Sequence, residues 1–438
     1  MITTIILFFF IFAPRLSFLP SLISNTSFLS LILLISYWLI RFLNGYKFYI
    51  FKKEFLIIPF LLFLSLYTFL TAEIFNMPDN ELSINLLKSI TYIIFGFLFA
   101  ISLYENKEAS MTVVENFKYK LLNCVILNCI IIVSSIIFPG LEVFIENFLL
   151  KSQNFNENVF SPLKNPLVSR GISSAAGGVH SSFLFFSGYI TILNDKFNGS
   201  INKKEPFKLN IFSQLFIIIL ASFFIGRTGL ILYAYLFIPL FLFAIFWKNK
   251  NSFKINFFKT INYKSIFYLM FFLVTILALS LTNTLFSERI LLYKDSFQEW
   301  TLNAIISPLN DNSIDQYGLK TNLPKLDFFQ FLFGLGSFQN LEKDYGLPDP
   351  GFIRLFYGLG IIFCPLYYFV LITYIKSSLS ICFRLKRYLI NIFIFALIIV
   401  ELKEPIFMIN FTGKLLGLII GFYLAEQSKD NLIKNIEI

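Results

Sequence analysis

Histidine is almost absent from this 438-residue chain, His180 being the single one, which excludes a histidine cluster, a bis-histidine haem site and a HExxH zinc site. Cysteine is scarce too. Cys124, Cys129, Cys364 and Cys382 fall in or beside apolar runs with neither CxxC nor zinc-ligand spacing, so they read as buried small hydrophobes and not as a disulfide framework or a structural metal site. Charge is the third shortage. Charged residues make up 14% of the chain against roughly 25% in an ordinary soluble domain, and 57% of residues are hydrophobic. No long hydrophilic stretch is present that could fold separately in water, so a soluble globular protein is excluded.

What the chain has in abundance is phenylalanine, 59 residues of it, within apolar runs of roughly membrane-spanning length that recur from Met1 to Ala425. The expectation is one all-α, polytopic integral membrane domain over 1–438. Breaks rich in charge, Pro, Gly or Asn divide it into about twelve spans near 1–13, 27–43, 55–71, 84–103, 119–138, 172–194, 209–225, 230–247, 265–283, 351–375, 388–402 and 411–425. The first is short and is followed by Pro14 and Arg15, so a signal peptide competes there, although a basic n-region and a small-residue cleavage site are lacking.

Assigning alternate loops to two sides puts 22 Lys and Arg on one side and 14 on the other, with net charges of +13 and −3. Topology follows the basic residues, so both termini are expected in the cytoplasm and the two long loops, 139–171 and 284–350, outside. The net charge of +10 is then a topology signal and no argument for nucleic acid. Loops of that length inside a compact protein are usually functional. Neither a fixed-period repeat nor a correspondence between the two halves is visible, which weighs against an inverted-repeat transporter.

Lys outnumbers Arg by 28 to 8, yet five of the eight arginines (Arg15, Arg170, Arg227, Arg289, Arg354) fall on the expected outer side. A guanidinium presents a planar fork that grips phosphate or carboxylate in two places, whereas a lysine suffices for topology. Arg227, in Gly226-Arg227-Thr228-Gly229, is the polar break between two apolar runs. It either faces a polar cavity with a partner or reaches lipid headgroups from a turn. Arg170 ends the first long loop and leads into small residues, Ser173 to Gly178, that let a helix or lipid chain approach closely. His180 follows and reads as a packing or hydrogen-bonding residue.

Ser287-Glu288-Arg289 opens the second long loop. After it Ile290, Tyr293, Phe297, Trp300 and Ala304 recur at helical spacing, a helix either packed in the core or lying on the outer leaflet. Phe331 to Phe338 is an apolar strip broken by Gly334 and Gly336, a candidate re-entrant or interfacial segment. Asp344, Asp349 and Arg354 then bring charge to the mouth of the tenth span, and Glu401, Lys403 and Glu404 to another helix end, where paired salt bridges are an equal reading. An arginine-bearing outer site under two long loops suits a lipid-linked diphosphate.

The elements Gly226-Arg227-Thr228-Gly229-Leu230, Ser287-Glu288-Arg289 with Trp300, Phe333-Gly334-Leu335-Gly336-Ser337-Phe338, Asp349-Pro350-Gly351-Phe352-Ile353-Arg354 running into Tyr357 to Ile362, and Lys403-Glu404-Pro405 together resemble the bacterial O-antigen polymerases (Wzy) of the polymerase and ligase superfamily. The likeness covers about residues 165–410, and the first five spans match only as hydrophobic helices. It implies a GT-C-like membrane glycosyltransferase of the bacterial inner membrane that works at the periplasmic face without nucleotide sugar, metal or other cofactor. It would join undecaprenyl diphosphate-linked oligosaccharide repeat units into surface polysaccharide, with membrane lipid around it and a chain-length regulator as a possible protein partner.

By that resemblance Arg170, Arg227, Arg289, Arg354 and Lys403 bind the diphosphates, and Asp349 or Glu404 assists deprotonation of the acceptor. The related ligases carry a histidine in the second long loop. Residues 284–350 contain none, which favours polymerase over ligase. A flippase for the same lipid-linked oligosaccharide, the other competitor, needs charge along its depth, and here the informative charges cluster at one face.

Overall fold

The computed structural model describes residues 2–14, 16, 25–45, 53–77, 79–105, 113–145, 178–197, 211–225, 326–337, 351–401 and 410–428. Of these, 89% are helical and none form a strand. In chain order the helices are α1 (Ile2–Phe12), α2 (Thr26–Leu43), α3 (Ile57–Ile74, entered through a 3-10 turn at Lys53–Leu56), α4 (Glu81–Glu105), α5 (Val113–Ile137), α6 (Pro139–Phe144), α7 (Gly178–Phe197), α8 (Ile211–Ile225), α9 (Phe328–Phe333), α10 (Gly351–Ile381), α11 (Arg387–Glu401) and α12 (Asn410–Gln427). Each expected span is helical over its described residues, with a break in the tenth at Gly360; 230–247 and 265–283 lie outside the described residues. Among the described residues five helices, α2, α3, α4, α5 and α10, are long and apolar enough to cross a membrane.

The distribution of side chains is that of a protein dissolved in lipid. On α3 the buried face carries Ser65, Thr68, Thr71 and Ala72, while Leu62, Phe63, Leu66, Phe69 and Leu70 are exposed. Water would expel such a face, whereas hydrocarbon tolerates it and small polar residues serve the helix contacts. The chain is an all-α membrane protein. All four cysteines are free and buried, as their apolar surroundings predict.

The chain divides into two compact units. One comprises Met1–Ser27 and Lys118–Asn310, the other Phe28–Phe117 and Asp311–Ile438. In the first, the Cys124 thiol of α5 donates to the Thr4 carbonyl of α1 at 3.6 Å. Gly188 of α7 lies so close to Val125 that a Cβ would come within 3.2 Å of its Cγ1. Thr26 ties the entry of α2 to the end of α1 by donating to the Pro14 carbonyl at 3.0 Å.

In the second unit α4 and α12 are the closest pair. Gly417 packs on Tyr92 and Gly421 on Phe97, and a Cβ at Gly96 would stand 2.7 Å from the Leu418 Cα. These contacts advance together along both chains, so the helices run parallel, and the Tyr104 hydroxyl closes the far end by donating to Glu426. α10 runs the same way, with Gly358 beside Leu82 near one end and Tyr374 against Tyr423 near the other. The heads of α4, α10 and α12 therefore point to one end of this unit. Trp38 of α2 joins the bundle through its indole N–H, which reaches the Ser102 hydroxyl at 3.0 Å and the Leu98 carbonyl at 3.1 Å.

Candidate functional site

The expected tenth span, 351–375, is broken within. Gly360 has φ 71° and ψ 175°, values no helical residue adopts, and Pro365 follows just past the restart. A break inside a membrane leaves carbonyls that only other protein groups can satisfy. They are satisfied by the glycine strip. The N–H groups of Leu335 and Gly336 donate to the Tyr357 and Gly358 carbonyls at 2.7 and 3.0 Å.

The strip is delivered by α9, whose start is fixed by a reciprocal cap. Asp327 accepts from the Gln330 N–H at 2.7 Å and its own N–H donates to the Gln330 side chain at 3.1 Å. Gly334 (φ 77°) ends α9, and the Tyr67 hydroxyl of α3 donates to the Phe333 carbonyl beside it. A Cβ on Gly336 would run into the Thr68 carbonyl and the Ala72 amide of α3, so the strip is wedged between α3 and α10. The re-entrant or interfacial reading of 331–338 thus meets a strip docked by backbone onto a broken helix.

Below the strip Leu335 and Tyr357 form an apolar core with Phe75, Met77, Leu326, Ile353 and Phe356. Beside it lies a polar corner. The fully buried Ser337 hydroxyl donates to Asp79 Oδ2 at 2.7 Å, and Asp79 Oδ1 accepts from the Glu81 N–H at 3.2 Å, capping α4. Glu81, Asn85 and Lys88 follow at helical spacing on one face of α4. Lys88 Nζ donates to Asn85 Oδ1 at 3.0 Å, and the charges acting on the Glu81 carboxyl are those of Lys88, Asp79 and Arg354. Two acids and two bases from two remote stretches of sequence, 79–88 and 354, meet at the heads of α4 and α10.

Of the site residues expected from sequence, Arg354 belongs to this corner. Arg170, Arg227, Arg289, Asp349, Lys403 and Glu404 lie outside the described residues, as does the helix expected over 290–304. His180 is in the first turn of α7. Sequence reasoning missed Asp79, Glu81 and Asn85, although the signal was there: polar residues at 81, 85 and 88 share one face of an otherwise apolar helix.

A buried acid lies apart from this corner. Glu401, at the end of α11, is 4% exposed and accepts from the Tyr368 hydroxyl at 2.6 Å, level with the middle of α10. Next to Tyr368, the Tyr367 hydroxyl is buried without a hydrogen-bond partner. Among the described residues no group of three His, Cys, Asp or Glu side chains is placed to hold a metal ion. Comparisons of the chain with family models, with curated proteins and with solved structures each found no match.

Proposed function

We propose that the chain is an O-antigen polymerase, a membrane glycosyltransferase of GT-C-like architecture with about twelve spans, both termini in the cytoplasm and its site facing the periplasm. The observation that carries this reading is the docking of Leu335 and Gly336 onto the broken head of α10. The glycine strip and the head of the tenth span, both parts of the resemblance to the polymerases, are joined here by the backbone hydrogen bonds of Leu335 and Gly336 to Tyr357 and Gly358. The common direction of α4, α10 and α12 agrees with the alternation of loops that puts their heads outside.

In this reading Arg170, Arg227, Arg289 and Arg354, with Lys403, hold the donor and acceptor diphosphates. The acceptor hydroxyl oxygen bonds to the anomeric carbon of the donor glycan, its proton passes to Asp349 or Glu404, and the carbon–oxygen bond to undecaprenyl diphosphate breaks, with the electron pair leaving on the diphosphate. Cations fixed in place before the charge develops supply most of the rate, and a lost donor in such a site costs about 10²–10³. The base adds about 10²–10⁴.

The test is a lipopolysaccharide gel of a strain lacking the gene beside the complemented strain. A core band carrying a single repeat unit, with the ladder lost, supports the polymerase. A core-only band overturns it in favour of ligase or flippase. In the complemented strain Arg227→Lys keeps the charge and removes the fork, so the ladder should shorten sharply or vanish; a full ladder would refute bidentate binding by Arg227.

A further inference from the structure

The short helix α9 carries an apolar face that the rest of the chain leaves uncovered. Phe328 and Phe329 are 71% and 64% exposed, and Phe331 and Phe333 are 40% and 36% exposed. The polar side chains of α9 do not serve that face, because Asp327 and Gln330 are engaged with each other's backbone in the reciprocal cap. The helix leads inward. Leu326, just before it, belongs to the apolar core with Phe75, just past the end of α3, and Ile353, in the first turn of α10. At the other end of α9, Phe333 accepts from Tyr67 and Gly334 lies against Gly360. Tyr67 precedes Phe75 on α3, and Gly360 follows Ile353 on α10, by seven or eight residues, about 10 Å at 1.5 Å per residue. The chain then turns back through Gly334 and Gly336, and Ser337 meets Asp79 in the connection between α3 and α4. Both ends of 326–337 therefore lie toward the heads of α4 and α10, and the turn lies further in.

What surrounds the turn at that depth is lipid-facing surface. Phe63, Leu66 and Leu70 of α3 and Ile361 and Ile362 of α10 are exposed there, and ring contacts carry this surface onto α9, Tyr67 meeting Phe363 at 4.4 Å and Phe331 meeting Phe356 at 5.7 Å. The backbone obeys the same rule. Hydrocarbon tolerates an exposed helix, whose hydrogen bonds are internal, and tolerates non-helical chain only where protein covers it. The exposed part of this segment is the helix, and the non-helical part, Gly334 to Ser337, is buried throughout. We propose that 326–337 is a re-entrant hairpin that seats α9 in the leaflet on the side of the heads of α4 and α10, with its phenylalanine face against the acyl chains. This stands apart from the polymerase reading and needs no substrate. It makes the bilayer a third support, beside α3 and α10, for the strip that satisfies the break at Gly360, and it pins the long loop 284–350 to the membrane at this point.

Spin labelling of the purified full chain, one copy per lipid nanodisc, decides the matter, and the buried native cysteines keep the background low. A nitroxide on Phe329→Cys is compared with one on Leu66→Cys, on the exposed face of α3, and one on Lys429→Cys, the aqueous reference. Collisions are measured with oxygen, which concentrates in hydrocarbon, and with a water-soluble nickel chelate. The expected result is that the label at 329 follows the label at 66, with oxygen collisions severalfold above nickel collisions, and opposes the label at 429. Nickel access equal to that at 429 would overturn the proposal by placing α9 in water. Protection from both probes would overturn it too, because with one copy per disc the face would then lie under another part of the chain. Phe328→Cys, at the most exposed position of the same face, is read in the same way and decides the question if Phe329→Cys fails to fold.

Discussion

Gly334, Gly336 and Gly360 have φ values of 77°, 71° and 71°, a region where a side chain costs about 1–2 kcal/mol before any clash. All three add a clash with neighbouring backbone. An alanine methyl at Gly360 meets the Leu332 carbonyl and the Gly334 amide, whereas at Gly140 it meets nothing within 4 Å. Gly336→Ala and Gly360→Ala should therefore each lower the melting temperature of the purified protein and abolish the ladder on a lipopolysaccharide gel, while Gly140→Ala leaves both unchanged or raises stability by up to about 1 kcal/mol. The adjacent tyrosines of α10 make a second contrast. Tyr368→Phe withdraws the hydroxyl from buried Glu401 and should destabilise by about 1–3 kcal/mol in a thermal unfolding assay. Tyr367→Phe removes a hydroxyl with no partner and should be neutral or stabilising. The glycines at 334 and 336 were legible as interruptions in an apolar strip. Gly360 was not, because Tyr357 to Ile362 reads as unbroken hydrophobic sequence and nothing local says which glycine leaves the helix.

At the scale of elements, helix existence was legible from apolar run length, since burying twenty or so apolar residues in hydrocarbon leaves the backbone no other choice. Pairing was not, because lipid-facing and protein-facing residues on α3 or α4 are separated by size and polarity and not by water solubility. The corner of Asp79, Glu81, Asn85 and Lys88 was hidden for that reason: the stretch before α4 reads as a short connection, and its partners come from residues 337 and 354. The α4–α12 pair is held by surfaces small enough for backbones to touch. Gly421→Val places branched carbon against the Phe97 amide and the Gly96 carbonyl carbon, where neither side is a flexible side chain. Loss of a monodisperse peak in size-exclusion chromatography is expected for that variant, and retention of wild-type behaviour would refute direct backbone packing as the support of this pair.

For the molecule as a whole, the topology read from Lys and Arg can be checked against a low background, because the four native cysteines are buried. A cysteine introduced at Asn312 should react with a membrane-impermeant maleimide on intact spheroplasts, and one at Lys429 only after permeabilisation; the reverse pattern would invert the proposed orientation. The two compact units interleave along the chain, the second drawing on Phe28–Phe117 and on Asp311–Ile438. This has a consequence for biogenesis. The notch of α4 around Gly96 is made early in synthesis, and the helix that fills it emerges about 300 residues later, roughly 15–60 s at typical elongation rates. For that interval a half-built bundle must wait in the membrane with a glycine groove and a buried-type hydroxyl at Tyr104 unoccupied, open to membrane chaperones and proteases. Chains cut short before Asn410, which leave the α4 groove unfilled, should therefore be cleared faster in a pulse-chase than the full-length chain, even though every earlier helix has been made.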